Sequence, residues 1–433
     1  MIKSEILIIG LGHVGLATAI GFAHNGFNVV CYDIDKNKIE ALRAGKAPFY
    51  EKNLQQYLDN YMCRLHFTND VTQAFLSAKY CFVAVGTPLD ADCAIDMTDF
   101  WSAVGLIIEN INRDGIIVVK STVPIGTNEQ IKSLIYAKNL PYIIDVVSNP
   151  EFLAQGSSVE DTIEAPRIVL GGNNKKSLNE IAKLYEKYSC EKILTTPESA
   201  ELIKYESNCY LAMKISFVND LATICKLIGC DIKAVLRGVT ADPRIGNMYF
   251  SPGIGYGGSC LTKDTVAFHN QIQKEYGHEL ELIEATVDIN KRQCLYLCRS
   301  IVNDFGDLVK KKIAILGVAF KKNTDDVRNS LAIDNIKFLK GNGAHITVWD
   351  PYSEQNCRSI FGDSLVYEKS LERAVADSEI VLITTDWDEI ADMPLSWLDG
   401  KSVYDGKNLF LDRDVSGFDY TYIGGKRCKR GTK

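Results

Sequence analysis

Glu5-Ile6-Leu7-Ile8-Ile9-Gly10-Leu11-Gly12-His13-Val14-Gly15 is an apolar run that breaks into three spaced glycines. The run predicts a short buried strand ending at Gly10. Leu16 to His24 carries a helical pattern, and Asn28 to Tyr32 is a second apolar run that ends in Asp33. Strand, glycine turn, helix, strand and acid follow one another as in a dinucleotide-binding βαβ unit. Gly10 permits the tight turn, Gly12 lets a backbone approach a pyrophosphate, and Gly15 lets helix and strand pack closely. The pyrophosphate would rest on the helix N-terminus. Asp33 can accept hydrogen bonds from ribose hydroxyls and would repel a 2′-phosphate, which favours NAD over NADP; Lys36 tempers that preference.

The α/β rhythm continues outward. Tyr80–Val85 predicts a strand ending in Gly86-Thr87-Pro88, and Ile116–Lys120 a strand ending in Ser121-Thr122-Val123-Pro124. Tyr142–Val147 predicts a strand ending in Ser148-Asn149-Pro150-Glu151-Phe152-Leu153, and Arg167–Gly171 another, entered by an arginine. Polar turns thus gather at the carboxyl ends of successive strands, where open α/β sheets bind ligands. Pro and Asn there also suit plain turns. Glu151 is a candidate acid/base group. From Pro197 to Leu227 no interior Pro or Gly interrupts a long helical pattern, which places Lys204 and Asn208 on one face. A second α/β unit starts at Lys312, with strands at Ile313–Leu316, Ile346–Trp349, Val381–Thr384 and Ser402–Asp405. Its first turn, Gly317-Val-Ala-Phe320-Lys321-Lys322, lacks the three-glycine pattern and points to a different phosphate ligand. The expected fold is α/β: two Rossmann-like, doubly wound domains joined by a long central helix. The expected boundaries are 1–196 for the NAD-binding domain, 197–300 for the central helical region that carries the cysteine loop, and 301–433 for a second, C-terminal Rossmann-like domain. A cleft between the domains is expected to hold Cys260.

That cysteine follows an unusual stretch, Tyr249-Phe-Ser-Pro-Gly253-Ile-Gly255-Tyr-Gly257-Gly258-Ser-Cys260-Leu-Thr-Lys263-Asp264. Four glycines in six residues exclude helix or strand and let something approach the backbone. Leu261 to Gln273 predicts a helix, so Cys260 stands at a helix N-terminus, where the local dipole favours the thiolate. Lys263 and Asp264 lie within one turn. A buried, inert cysteine is the plainer alternative. Asp242-Pro243-Arg244-Ile245-Gly246 is a loop whose arginine could bind phosphate.

Composition narrows the classes. The 433 residues are 46% hydrophobic and 24% charged, as in an ordinary globular protein of two or three domains. A net charge of -7 argues against a nucleic-acid surface. The basic tail Lys426-Arg427-Cys428-Lys429-Arg430 is a local exception, expected to be a solvated, disordered end. No apolar run is long enough to span a bilayer and no cleavable signal precedes the first strand. Thirteen scattered cysteines without C-x-x-C pairs suit a reducing cytoplasm and predict no metal site.

Taken together, G-L-G-H-V-G (10–15), S-T-V-P-I-G (121–126), S-N-P-E-F-L (148–153), K-Y-E-S-N (204–208), D-P-R-I-G (242–246), G-Y-G-G-S-C-L-T-K-D (255–264), G-V-A-F-K-K-N-T-D-D-V-R (317–328) and Y-D-G-K-N (404–408) resemble the UDP-glucose 6-dehydrogenase family of nucleotide-sugar dehydrogenases. The resemblance covers nearly the whole chain. It implies oxidation of a sugar C6 alcohol to a carboxylate in two NAD-dependent steps, with Cys260 as nucleophile through a thiohemiacetal and a thioester. It implies that Lys204 and Asn208 hold the reacting oxygen, that Asp264 with a water accepts protons, and that Thr122 and Glu151 surround that water. Gly12, Val14, Asp33, Lys36, Thr87, Thr122, Lys263 and Arg328 match cofactor positions, with Gly10 and Gly15 shaping the turn. Glu151, Phe152, Leu153, Lys204, Asn208, Tyr249, Gly257 and Lys321 match sugar-nucleotide positions. Arg244 matches an arginine that reaches into a neighbouring subunit, which implies a homodimer or larger homo-oligomer.

The chain departs from the family pattern at Gln155, where a Glu is common, at Thr262, where a Pro is common, and at Lys407, where an Arg is usual. Gln155 cannot ionise, so an acid/base role there passes to Glu151 or Asp264, and Lys407 lacks a planar fork. UDP-glucose is the expected substrate. GDP-mannose or another nucleotide sugar is the alternative within the class; a non-catalytic nucleotide-sugar sensor and a single-step hydroxyacid dehydrogenase are alternatives outside it.

Overall fold

The computed structural model describes residues 4–431. The chain forms two compact units that meet in sequence at Ser207–Asn208, inside the helix Pro197–Ile228. Each unit carries one sheet.

The first sheet contains β1 (Ile6–Ile9), β2 (Val29–Tyr32), β3 (Leu65–Thr68), β4 (Tyr80–Val83), β5 (Gly115–Val119), β6 (Ile144–Ser148), β7 (Arg167–Gly171) and β8 (Glu191–Thr195). Its order is β3-β2-β1-β4-β5-β6-β7-β8. All neighbours are parallel except β6 and β7, which meet antiparallel at Ser148 and Gly171. Strand alternation splits the apolar residues between two faces. Ile6 and Ile8 enter one core with Leu16, Ile20 and Phe22; Leu7 and Ile9 enter the other with Phe100, Val104 and Ile107. Burial on both faces explains why these strands read as unbroken apolar runs.

The second sheet contains β9 (Lys312–Leu316), β10 (His345–Trp349), β11 (Val366–Tyr367), β12 (Ile380–Ile383), β13 (Ser402–Asp405) and β14 (Asp419–Tyr422). Its order, β11-β10-β9-β12-β13-β14, repeats that of the first six strands, and every pair is parallel. Both sheets therefore reverse their winding beside a central strand, β1 or β9, and a ligand crevice forms beyond the carboxyl ends at such a point. The pseudo-repeat extends to the turns. Gly10 and Gly317 both have φ +89°. Asp33, after β2, accepts a hydrogen bond from the Leu11 amide at 2.8 Å. Asp350, after β10, accepts from the Val318 and Ala319 amides at 2.7 and 3.0 Å and from the Trp387 indole at 3.1 Å.

The basic tail corrects the sequence expectation. Tyr420 and Cys428 exchange two backbone hydrogen bonds of 2.8 Å, so the tail pairs with β14. Arg427 bridges Asp304 and Asp419, each at 2.8 Å, and the Arg430 amide donates to Asp419. The tail is therefore ordered rather than disordered, while Lys426, Lys429 and Arg430 stay exposed to water as expected. Among the described residues no helix is long and apolar enough to cross a membrane, and no cluster of ligating side chains could hold a metal.

Candidate active site

The glycine turn of the first unit is shaped by contacts that exclude side chains. A Cβ on Gly15 would lie 1.8 Å from the Gly10 carbonyl oxygen, and one on Gly10 would lie 2.8 Å from that of Ala84. A Cβ on Gly12 would meet nothing within 4 Å, which leaves the backbone open from outside. Gly12 also caps the helix His13–His24 without a side-chain hydrogen bond. A cavity of about 750 Å³ opens here, lined by Gly10, Gly12, Asp33, Ile34, Val85 and Leu106 among others. An uncapped helix start beside an open backbone fits a pyrophosphate, and apolar Ile34 and Leu106 fit a purine. Asp33 is braced by Leu11 and by Lys38 Nζ at 2.7 Å. Lys36, the lysine singled out in the sequence, is exposed at the start of the helix Lys36–Arg43 and is not among the cavity-lining residues. Val14 packs on the adjacent core. Thr87 Oγ1 donates to the Thr122 carbonyl oxygen at 2.8 Å and so ties the two strand-end loops together.

At the ends of β5 and β6 the first unit builds a buried charge cluster. Lys204 Nζ donates to Glu151 Oε1 at 2.8 Å, and the Leu153 amide donates to Glu151 Oε2 at 2.7 Å. Burial alone would raise the Glu151 pKa. The charge and hydrogen bond of Lys204, the Leu153 amide and the charge of Lys120 outweigh it and hold the carboxyl below its ordinary range. Lys120 is also buried, and burial pulls it down to about 8, against Glu151 and with Lys204. Phe152 carries the Arg167 guanidinium 4.0 Å over its ring. Three residues before Lys204, the buried Glu201 accepts from the Gly126 and Asn128 amides at 2.7 and 3.1 Å, capping the helix Thr127–Lys138 that follows the Thr122 loop. Burial lifts its pKa to about 7, against those two amides.

In the second unit, Cys260 is the half-buried N-cap of the helix Leu261–Tyr276, which ends at Gly277. One turn in, Asp264 Oδ2 accepts from Asn208 Nδ2 at 2.6 Å and Oδ1 lies 2.7 Å from Lys263 Nζ. Arg328 forks onto Asp326. That hydrogen bonding raises its pKa, against burial. The glycines before Cys260 admit the protein itself. A Cβ on Gly257 would lie 2.5 Å from the Asn329 carbonyl oxygen, one on Gly258 2.7 Å from the Phe320 ring, and one on Gly255 2.4 Å from Asn290 Oδ1. Thr262, where the family has a proline, uses its hydroxyl to bond the Gly258 carbonyl oxygen. Tyr249 turns the chain with φ +58°. Lys321 has its ammonium 5.9 Å from the Phe320 ring centroid, and Arg244 is exposed and held by Asp242.

Lys120 and Glu201 were not legible as site residues from sequence reading. Their signal was adjacency: Lys120 immediately precedes S-T-V-P-I-G, and Glu201 lies one turn before Lys204 on the same helix.

A doubly wound unit with such a turn is a dinucleotide-binding unit. Comparison with known families narrows this. Residues 4–189 match the NAD binding domain of the UDP-glucose/GDP-mannose dehydrogenase family, residues 198–292 its central domain and residues 314–412 its UDP binding domain. The chain belongs to that family. It is 39% identical to the UDP-glucose 6-dehydrogenase TuaD of Bacillus subtilis (strain 168), over 99% of this chain and 95% of that protein. It is 35% identical to the UDP-glucose 6-dehydrogenase of Rhizobium meliloti (strain 1021), over 97% and 99%. Among solved structures it superposes on a UDP-glucose dehydrogenase from the hyperthermophilic archaeon Pyrobaculum islandicum with a TM-score of 0.92, 33% identity and 98% of each chain covered.

Proposed function

We propose that this chain oxidises UDP-glucose to UDP-glucuronate in two steps at one site, with Cys260 as the covalent nucleophile. The observation that carries the reading is a thiol at a helix N-terminus one turn before a buried aspartate held by an asparagine and a lysine. NAD, bound at the glycine turn, supplies the hydride acceptor for each oxidation. The rest falls to the chain's own groups. Asp264, with a water, takes the proton of the C6 hydroxyl. Cys260 Sγ adds to the resulting aldehyde, and Lys204 and Asn208 donate to the oxyanion that forms. After the second oxidation the sugar is a thioester on Cys260. A water positioned by Thr122 and Glu151 attacks it, its proton passes to a carboxylate, and the thiolate leaves. With Gln155 unable to ionise, Glu151 and Asp264 are the carboxylates available.

The proposed division assigns the dinucleotide to residues 1–196, the central and dimerisation region to 197–300 and the UDP-sugar to residues 301–433. Val14, Thr87, Lys263 and Arg328 serve the cofactor; Phe152, Leu153, Tyr249, Gly257 and Lys321 serve the nucleotide sugar. A homodimer is supported by an apolar stripe on the central helix. Tyr210, Phe217 and Ile224 recur every seventh residue and are 58%, 59% and 46% exposed, and Arg244, though paired with Asp242, is exposed and so accessible to a second subunit. A reducing cytoplasm suits a chain in which no disulfide joins the described cysteines.

The test is turnover of UDP-glucose and GDP-mannose in parallel by wild type and Cys260→Ala. UDP-glucose turnover that is lost in the variant is expected. Turnover of GDP-mannose alone would overturn the substrate, and an active alanine variant would overturn the covalent route.

A further inference from the structure

We propose that Lys120 is a positioning residue for the acid/base carboxylate: it is the second cation that keeps Glu151 ionised while Lys204 is engaged with the reacting oxygen. This rests on the reading of Glu151 given above. The geometry starts with the sheet. β5 and β6 pair in register up to Val119 and Ser148, so Lys120 and Glu151 leave the ends of adjacent strands. The Lys120 amide donates to the Val83 carbonyl oxygen at 2.9 Å and the Asn149 amide to that of Val119 at 2.7 Å, which fixes both backbones. Lys120, Glu151 and Lys204 are 7%, 6% and 3% exposed. Lys120 and Glu151 line one cavity of about 30 Å³, room for one or two waters.

The other titratable groups lining that cavity have partners of their own. Asp161, from the helix Ser158–Ile163, accepts from the Ala154 amide and the Ser157 hydroxyl. Tyr185 donates to Asn149 Oδ1 at 2.6 Å. Arg167, on β7, lies over the Phe152 ring and donates to Ser207. Tyr188, also at the wall, is held neutral by burial. Two lysines thus serve one carboxylate. A buried cation beyond the number needed for pairing destabilises a fold, and burial does depress Lys120 to about 8. The excess has a use if Lys204 lends its charge to a substrate oxygen: Glu151 then keeps one cation and is not left as a bare buried charge.

The decisive experiment is a 13C titration of the Glu151 carboxyl by NMR, assigned by its loss in Glu151→Gln, in wild type, Lys120→Met and Lys120→Arg. The proposal expects the carboxyl to titrate about one pH unit or more higher in the Met variant, as removal of a nearby cation does, and to return toward wild type in Arg. The acid limb of the kcat profile is expected to move with it, while NAD binding stays within about twofold. An unchanged carboxyl titration in Lys120→Met overturns the proposal. If Lys120→Met does not fold, Lys120→Gln takes its place with the same two outcomes. A carboxyl that shifts while the kcat profile stays put supports Lys120's hold on Glu151 and instead removes Glu151 from the acid/base role.

Discussion

Glu201→Gln tests how the Thr122 loop is fastened. Glu201 is buried and accepts the Gly126 and Asn128 amides, the first turn of a helix whose own N-cap, Gly126, offers no side chain. Burial raises its pKa from 4.5 to about 7, more than those two amides lower it. Between these values the folded chain binds more protons than the unfolded chain, so this group's contribution to stability falls as pH rises from 4.5 to 7. At about 1.4 kcal/mol per pKa unit the fall is on the order of 3 kcal/mol. Glutamine has no such titration. It gives up one of two amide bonds, a pH-independent loss of about 1–2 kcal/mol. The variant is therefore expected to be less stable than wild type near pH 4.5 and to gain on it by about 3 kcal/mol by pH 8. Urea unfolding at constant ionic strength, wild type against variant at each pH, cancels the other titrations. Parallel stability curves from pH 4.5 to 8 would refute the reasoning.

Three further perturbations follow from the same contacts. Lys204→Met should abolish turnover and destabilise the fold by about 1–3 kcal/mol, because the buried Glu151 loses its bonded partner and keeps only the charge of Lys120; adding Glu151→Gln should recover most of the stability in urea unfolding and none of the turnover. Gly258→Ala places a Cβ 2.7 Å from the Phe320 ring at φ +86° and should cost about 2–5 kcal/mol. Phe320→Ala in the same chain should relieve the steric part and leave the backbone strain, read as partial recovery of the melting temperature. Arg427→Ala removes ion pairs to Asp304 and Asp419, half exposed at most, and should cost about 1 kcal/mol; amide exchange at Cys428 should quicken as the tail detaches from β14.

The parts of the fold buried on both faces were legible because burial removes ambiguity. β1, β2, β4 and β5 are apolar throughout and are punctuated by glycine or polar turns. β8 was missed because Glu191–Thr195 is a partly exposed edge strand with mixed residues, and β14 because Asp419–Tyr422 alternates an acid and a hydroxyl with tyrosines. The order of the tail was misread because Arg427 was weighed without its partners, which lie on β14 and on the helix Tyr296–Phe305. Among the candidate residues of the two units, Cys260, Asp264 and Glu151 stood out by motif and turn position. Lys120 and Glu201 did not, since a lysine ending a strand and a glutamate on a helix are ordinary in sequence and become unusual only when buried. The glycines before Cys260 were read as letting something approach the backbone, without saying what. Three of the four admit Asn290, Asn329 and Phe320 of the same unit, and the fourth, Gly253, approaches the Gly406 carbonyl oxygen, a demand that backbone packing makes and sequence does not display.

The central claim is that one thiol carries the sugar through both oxidations. Its most direct test is the yield of NADH per UDP-glucose consumed to completion by the wild-type chain. Two NADH per sugar, with UDP-glucuronate as the product and no free aldehyde, is the predicted result. One NADH per sugar would contradict it.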